Sequence, residues 1–201
     1  MEFNNYEVQL KSIYKSYGTN IVLENLNMNF LKNKITVVTG PSGCGKTTML
    51  NIISGLENAD SGEVLMSDKS ISYIFQEDRL LPQLTVYQNI AFVLKSYMTH
   101  VEMKPVIEKY LSLVKMIDSK DKYPVQLSGG MKRRVAIARA FAYKSRLLLM
   151  DEPFKGLDDK LKTEIINQFL QVYRADKRTI IFVTHDMKEA EMLSDVIYTL
   201  K

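Results

Sequence analysis

Residues 35–50 read Ile35-Thr36-Val37-Val38-Thr39-Gly40-Pro41-Ser42-Gly43-Cys44-Gly45-Lys46-Thr47-Thr48-Met49-Leu50. An apolar run without alternation ends in a glycine, and such a run marks a strand buried on both faces, as in a parallel sheet. Residues 40–47 then match G-x-x-x-x-G-K-[ST], and a helical pattern opens at Thr48-Met49-Leu50. The glycines let the backbone turn tightly and aim its N–H groups inward. Those groups and the helix N-terminus together cradle phosphate. Lys46 is placed to reach the β and γ phosphates of a nucleotide, and the Thr47 hydroxyl to bind Mg²⁺. The expected nucleotide contacts are Gly40, Pro41, Ser42, Gly43, Cys44, Gly45, Lys46, Thr47 and Thr48. With glycine near ~7% of residues, a chance match in a chain of this length is roughly one in a hundred.

Working outward, two further apolar runs share the form of the first. Leu147-Leu148-Leu149-Met150 ends in Asp151-Glu152, and Thr179-Ile180-Ile181-Phe182-Val183 ends in Thr184-His185. Strands alternating with helical patterns argue for an α/β sheet, whose ligands gather at the carboxyl ends of parallel strands. Taken alone, Asp-Glu after a strand is an ordinary solvated turn. Beside a phosphate-binding loop, Asp151 is expected to help hold Mg²⁺ through its water shell. Glu152 is then placed to polarise an attacking water as general base. His185, at a strand end, is placed to contact the γ-phosphate, whereas His100 has no such context. Cys44 lies at a helix N-terminus, where a thiol can become reactive. Backbone duty in the loop is the simpler reading.

The flanks complete the organisation. Residues 6–40 alternate, with Val8, Leu10, Ile13, Ile21, Val22, Leu23, Met28 and Phe30, and read as short strands turning at Gly18-Thr19-Asn20. Residues 85–142 read as helical. Thr85-Val86-Tyr87-Gln88 fits a capping box opening a helix through about Met98. A second helix follows Pro105, which suits a first helical position, with Val106, Ile107, Tyr110, Leu111, Val114 and Ile117 at helical spacing. A third starts near Met131, with Val135, Ala138 and Phe141 on one face, and a fourth of about four turns carries Leu161, Ile165, Ile166, Phe169, Leu170 and Tyr173. The expected organisation is a single domain, residues 1–201. Its α/β core and β-subdomain are 1–84 and 143–201, and a helical subdomain, about 85–142, is inserted between them.

Composition bounds the rest. At ~100–200 residues per domain, 201 residues make one domain or one with a small insertion. With 46% hydrophobic and 25% charged residues the chain is neither disordered nor low-complexity. The net charge of +4 is interspersed, with one dense cluster at Lys132-Arg133-Arg134, so no nucleic-acid partner is expected. A single cysteine excludes a disulfide framework and suits a reducing compartment. The opening MEFNNYEVQL has no apolar centre and does not read as a signal peptide. No apolar run approaches the ~18 residues that span a bilayer.

Leu127-Ser128-Gly129-Gly130-Met131, ahead of Lys132-Arg133-Arg134-Val135-Ala136-Ile137-Ala138-Arg139-Ala140, adds a second anion-binding surface: a hydroxyl and open N–H groups at a helix start. With the motifs above, in this order and over nearly the whole length, the chain resembles the nucleotide-binding subunit of ABC transporters. The resemblance implies an α/β fold of the P-loop NTPase type, with a RecA-like core, an N-terminal antiparallel β-subdomain and an inserted helical subdomain. It implies that Tyr17 stacks on adenine, that Gln76 in Tyr73-Ile74-Phe75-Gln76 is the Q-loop glutamine serving Mg²⁺ and catalysis, and that Ser128, Gly129 and Gly130 are the signature motif. Gly156-Leu157-Asp158 resembles the D-loop and His185 the switch histidine. Met131 stands where the signature commonly has Gln. That feature, with Phe154-Lys155-Gly156-Leu157-Asp158 and Leu80-Leu81-Pro82-Gln83-Leu84-Thr85, is similar to the nitrate, sulfonate and taurine importer branch.

The resemblance further implies an ATPase with ATP and Mg²⁺ as cofactors. Two copies, or a copy and a paired ABC ATPase, would close head to tail so that the signature of one covers the ATP of the other. Integral membrane permease subunits would be driven through the helical subdomain and the Gln76 loop at the cytoplasmic face of the membrane, and a solute-binding protein would be engaged indirectly. Because the sequence stops at Lys201 and residues 67–71 are short, an appended regulatory domain is not expected. The rival readings are an export or lipoprotein-release ATPase and a soluble ABC protein acting on ribosomes or DNA. A small-molecule P-loop kinase is a further rival, but it would have no use for residues 127–130.

Overall fold

The computed structural model describes residues 5–175 and 177–200. Met1, Glu2, Phe3 and Asn4, part of the stretch read above as lacking signal-peptide character, and Lys201 lie outside the described residues. The chain forms two compact units, one of Met1–Ile71, Ser145–Glu152 and Asp176–Lys201, the other of Ser72–Lys144 and Pro153–Ala175.

The first unit holds two sheets. β1 (Tyr6–Tyr17), β2 (Asn20–Leu31) and β4 (Ser61–Met66) form an antiparallel sheet in the order β2-β1-β4. The short strands expected over residues 6–40 are here two strands of 12 residues each, joined through Gly18 at φ 62°. Register shifts, as between Leu10 and Ile13, absorb the breaks in alternation without ending the pairing, so Val8, Leu10, Ile13, Leu23 and Phe30 all remain buried. β3 (Ile35–Thr39), β6 (Leu147–Asp151), β7 (Thr179–Val183) and β8 (Val196–Thr199) are parallel, in the order β6-β7-β3-β8. Every residue of β3, β6 and β7 is buried, the physical counterpart of their unbroken apolar runs. Val38 pairs with Val183, and Val183 with Asp151, so the carboxyl ends of these three strands lie level. α1 (Lys46–Ser54) leaves β3 through residues 40–45, and α6 (Met187–Leu193) leaves β7. β5 (Ile71–Ile74) begins at the boundary between the units.

The second unit is built on α2 (Val86–Leu94), α3 (His100–Leu113), α4 (Gly129–Ala142) and α5 (Asp159–Ala175). The helical stretch expected over about 85–142 lies inside it, together with residues 72–84 and α5. Thr85 caps α2 with the expected reciprocal box to Gln88, but the helix ends at Leu94, four residues before Met98. The second helix corrects the reading of Pro105. Thr99 and Glu102 form a second capping box, so α3 starts at His100 and Pro105 lies within it. The N–H lost at Pro105 would have served the carbonyl of Val101, in a first turn whose Val101 is exposed. α4 starts two residues before Met131 because Ser128 accepts the Met131 N–H. Phe141 of α4 stacks on Phe169 of α5 with ring centroids 4.9 Å apart.

Asn89 of α2 is fully buried and organises the loop before the helix. Its side-chain amide donates to the carbonyls of Leu81, Leu84 and Thr85, and its oxygen accepts the Leu81 N–H at 2.8 Å. The Leu81 and Thr85 carbonyls keep backbone donors without it, but the Leu81 N–H and the Leu84 carbonyl lose their partner, at a cost of about 1–3 kcal/mol each where they are sheltered. Asn89→Ala is expected to lower unfolding stability in urea by about 2–3 kcal/mol; a change below about 0.5 kcal/mol would show that the loop repairs itself with water.

Candidate functional site

The site of the first unit is built at the level carboxyl ends of β3, β6 and β7. After Thr39 the chain enters the loop with Gly40 at φ 152°, Gly43 at φ 85° and Gly45 at φ 94°. A Cβ on Gly45 would lie 2.7 Å from Leu23 Cδ2 and 3.0 Å from the Val22 carbonyl, so both space and dihedral demand glycine there. Lys46 is buried, its ammonium donating to the carbonyls of Gly40 (2.8 Å) and Pro41 (2.7 Å), with Cys44 Sγ at 3.8 Å. The cation therefore sits over the centre of its own loop, with Pro41, Ser42 and Gly43 exposed along the rim. Thr47 is exposed, and its hydroxyl donates to Asp151 Oδ2 at 2.7 Å; Asp151 is buried at the last position of β6. Thr48, half-buried, follows in α1.

Glu152 leaves β6 at φ 45°, a left-handed conformation uncommon for a side chain other than glycine. Its N–H donates to the Val183 carbonyl at 2.9 Å, which fixes the turn against β7. The turn brings Glu152 Oε1 to 2.8 Å from Nδ1 of His185, whose ring is largely exposed. An imidazole with its proton on Nδ1 donates to the carboxylate, and that hydrogen bond orients both groups. Behind His185 lies a pair that the spacing of motifs does not reveal. Thr184, buried, donates to the buried carboxylate of Glu189 at 2.8 Å and accepts the Asp186 N–H at 3.0 Å. Asp186 in turn caps α6 through the N–H groups of Lys188 and Glu189. The only local signal is the D-x-x-E spacing of Asp186 and Glu189, a helix-start pattern.

Tyr17 is half exposed at the end of β1. Its hydroxyl bonds Glu57, and that bond, ahead of burial, pushes the phenol pKa up. Lys15 pairs with the same carboxylate at 3.4 Å and stands 5.3 Å from the Tyr17 ring centre. The aromatic platform is thus anchored through its hydroxyl by Glu57, 40 positions away. The first unit brings together Tyr17, residues 40–48, Asp151, Glu152 and His185. Gln76, Ser128, Gly129 and Gly130 belong to the second unit, Gln76 exposed in the segment after β5 and the other three at the start of α4.

A parallel sheet delivering a phosphate-binding loop, an aspartate and a glutamate–histidine pair to one edge defines a P-loop nucleotide-binding domain. Residues 23–155 match the ABC transporter family, and the chain belongs to that family as an ATP-binding domain. It is 42% identical over 200 residues to the spermidine/putrescine import ATP-binding protein PotA of Thermotoga maritima, covering 94% of this chain and 54% of that protein. It is 39% identical over 202 residues to the putative ATP-binding protein BruAb2_1123 of Brucella abortus, covering 96% of this chain and 78% of that one. The chain thus spans about half the length of its polyamine-import relative. The dimeric ABC transporter cassette MJ0796 superposes with a TM-score of 0.89 at 32% identity, over 96% of this chain and 94% of that chain. The same cassette solved as a dimer in a post-hydrolysis state bound to ADP and Pi gives 0.88. These relatives carry the family and the fold. The nitrate, sulfonate and taurine branch does not follow from them, since the import relative is named for polyamines.

Gly45→Ala tests the loop geometry. The left-handed dihedral costs about 1–2 kcal/mol in any residue with a Cβ, before the clash with Leu23 and Val22 is counted. ATP affinity, read by titration calorimetry, is expected to fall at least about tenfold, or ~1.4 kcal/mol. Unchanged affinity would mean the loop does not set the phosphate contacts.

Proposed function

We propose that this chain is the ATP-hydrolysing subunit of an ABC transporter that imports a small solute. Its work would be to close on a second ATPase subunit when ATP is bound and to reopen after hydrolysis. The observation that carries the reading is the pair of contacts at one sheet edge, Thr47 to Asp151 at 2.7 Å and Glu152 to His185 at 2.8 Å, beside the Lys46 loop. The first pair offers hard oxygen donors, and among the described residues no cluster of three or more His, Cys, Asp or Glu side chains could hold a metal. That donor set fits Mg²⁺, which keeps several waters and binds through one or two protein oxygens together with substrate phosphates. Bound there, Mg²⁺ would neutralise charge on the β- and γ-phosphate oxygens.

The chain's own residues do the rest. The loop N–H groups and Lys46 hold the phosphates, and Tyr17 offers the adenine a flat face. Glu152 accepts a proton from the attacking water, and His185 fixes the carboxylate that accepts it. His185 and Gln76 are the candidate γ-phosphate and Mg²⁺ contacts. Ser128, Gly129 and Gly130, at a helix start, suit the nucleotide of a second subunit, which agrees with a relative solved as a dimer. Among the described residues no helix is long and apolar enough to cross a membrane. The proposed partner, from the family resemblance, is a membrane permease, with the chain at its cytoplasmic face and a solute-binding protein beyond it. Met131 and residues 80–85 and 154–158 favour a nitrate, sulfonate or taurine type of solute, and the polyamine-import relative favours another. Import of a small solute is the statement both support.

Glu152→Gln keeps the shape of the side chain and removes the base. Turnover is expected to fall by about 10²–10⁴-fold, the usual worth of a general base, with ATP still bound and a stable dimer visible by light scattering. Hydrolysis at the wild-type rate would exclude Glu152 as the base.

A further inference from the structure

Phe75-Gln76-Glu77-Asp78-Arg79 belong to neither strand nor helix, so their peptide groups need partners from elsewhere. They find them on α4. Arg133 is 4% exposed, and its Nη1 donates to the carbonyls of Phe75 and Gln76, the latter at 3.1 Å. Its Nε donates to the carbonyl of Pro153 at 2.8 Å, and Asp78 Oδ1 lies 3.6 Å from Nη1. Arg139, six residues on, donates to the carbonyls of Arg79 (2.8 Å) and Asp78 (3.2 Å). The Arg79 guanidinium lies 4.0 Å from the Phe75 ring centre, and Phe75 stacks on Tyr73 at 4.1 Å. Asp78 and Arg139 are both half-buried; burial raises the Asp78 carboxyl pKa against the pull of Arg133 and lowers that of Arg139.

Four carbonyls of one irregular segment are therefore held by two arginines of one helix. A guanidinium suits this task because its donors are fixed in a planar fork, whereas an ammonium is a point charge on a flexible stem. The helix that carries them is the one Ser128 opens, and Pro153 directly follows Glu152 in the chain.

We propose that Arg133 is a positioning residue that makes the Ser128 helix, the Gln76 peptide and the Pro153 peptide one mechanical piece. Engagement of the Ser128 surface by a second subunit's nucleotide then sets where Gln76 lies and whether hydrolysis proceeds. The inference rests on the ATPase reading above and adds the link between two of its motifs. Arg133 acts through Gln76, not on the nucleotide.

The test is a double-mutant cycle on the full chain with Arg133→Gln, Gln76→Ala and the combined variant, with kcat expressed per titrated ATP site so that unfolded protein does not count. The expected result has three parts: kcat falls about tenfold in Arg133→Gln, the Kd for ATP stays within about twofold of wild type, and the double variant is no slower than the slower single one. An unchanged kcat per site, or losses that multiply, would overturn the proposal, because a merely structural arginine lowers the melting temperature without coupling to Gln76. If Arg133→Gln shows no cooperative melt, Arg133→Lys, which keeps the cation, is judged by the same criteria. Absence of ATP hydrolysis in the wild type would strike the ATPase reading and not this link.

Discussion

The rest of the structure depends on how the chain crosses from β3 to α1. Between Thr39 and Lys46 the backbone must reverse with its N–H groups facing inward, and only glycines at positive φ allow it. Gly45 is pressed against β2 through Leu23 and Val22, so the antiparallel sheet is a wall of the loop as much as a platform for Tyr17. Lys46 closes the turn by donating to the loop's own carbonyls. A buried ammonium on a glycine-rich turn that leads into a helix N-terminus suits an anion, and the parallel register then decides what else can reach it.

That register accounts for the companions. Asp151 and Val183 pair, and Val183 pairs with Val38, so Glu152 and Thr184 leave their strands at the level of Thr39, one residue before Gly40. The polar groups at the carboxyl ends of the strands are tied in pairs: Thr47 with Asp151, Glu152 with His185, and Thr184 with Glu189. The last pair is fully buried and lies behind the others. Buried polar groups that are partnered tend to fix one arrangement, and here that arrangement leaves the His185 imidazole exposed and the Glu152 carboxylate sheltered beneath it.

What was legible in the sequence was local. The loop, β3, β6 and β7 follow from contiguous runs, and the Thr85 box from a four-residue spacing. The start of α3 was legible too, in Thr99-His100-Val101-Glu102, but Pro105 is the louder signal and points five residues too late. The two long strands of the β-subdomain were not legible, because bulges break the alternation that marks a strand. Nor were the groups that hold site residues in place. Glu57 lies 40 residues from Tyr17, and Arg133 lies 57 from Gln76. Sequence spacing carries no information about partners at such distances. Lys132-Arg133-Arg134 stands out in the sequence only as a dense basic cluster, which charge alone leaves as either a solvated helix turn or an anion site, yet its middle member is 4% exposed and bonded to backbone carbonyls.

The central claim is that two chains complete each site, Lys46 from one and Ser128 from the other. Mixing the Lys46→Ala and Ser128→Arg variants tests it most directly, because each alone damages both sites of its own dimer. In a mixed dimer one site carries both lesions and the other neither. Random pairing makes about half the dimers mixed, so roughly a quarter of wild-type sites should return as hydrolysis or as ATP-induced dimer. If Lys46 and Ser128 act within one chain, mixing recovers nothing, and that result would contradict the shared site.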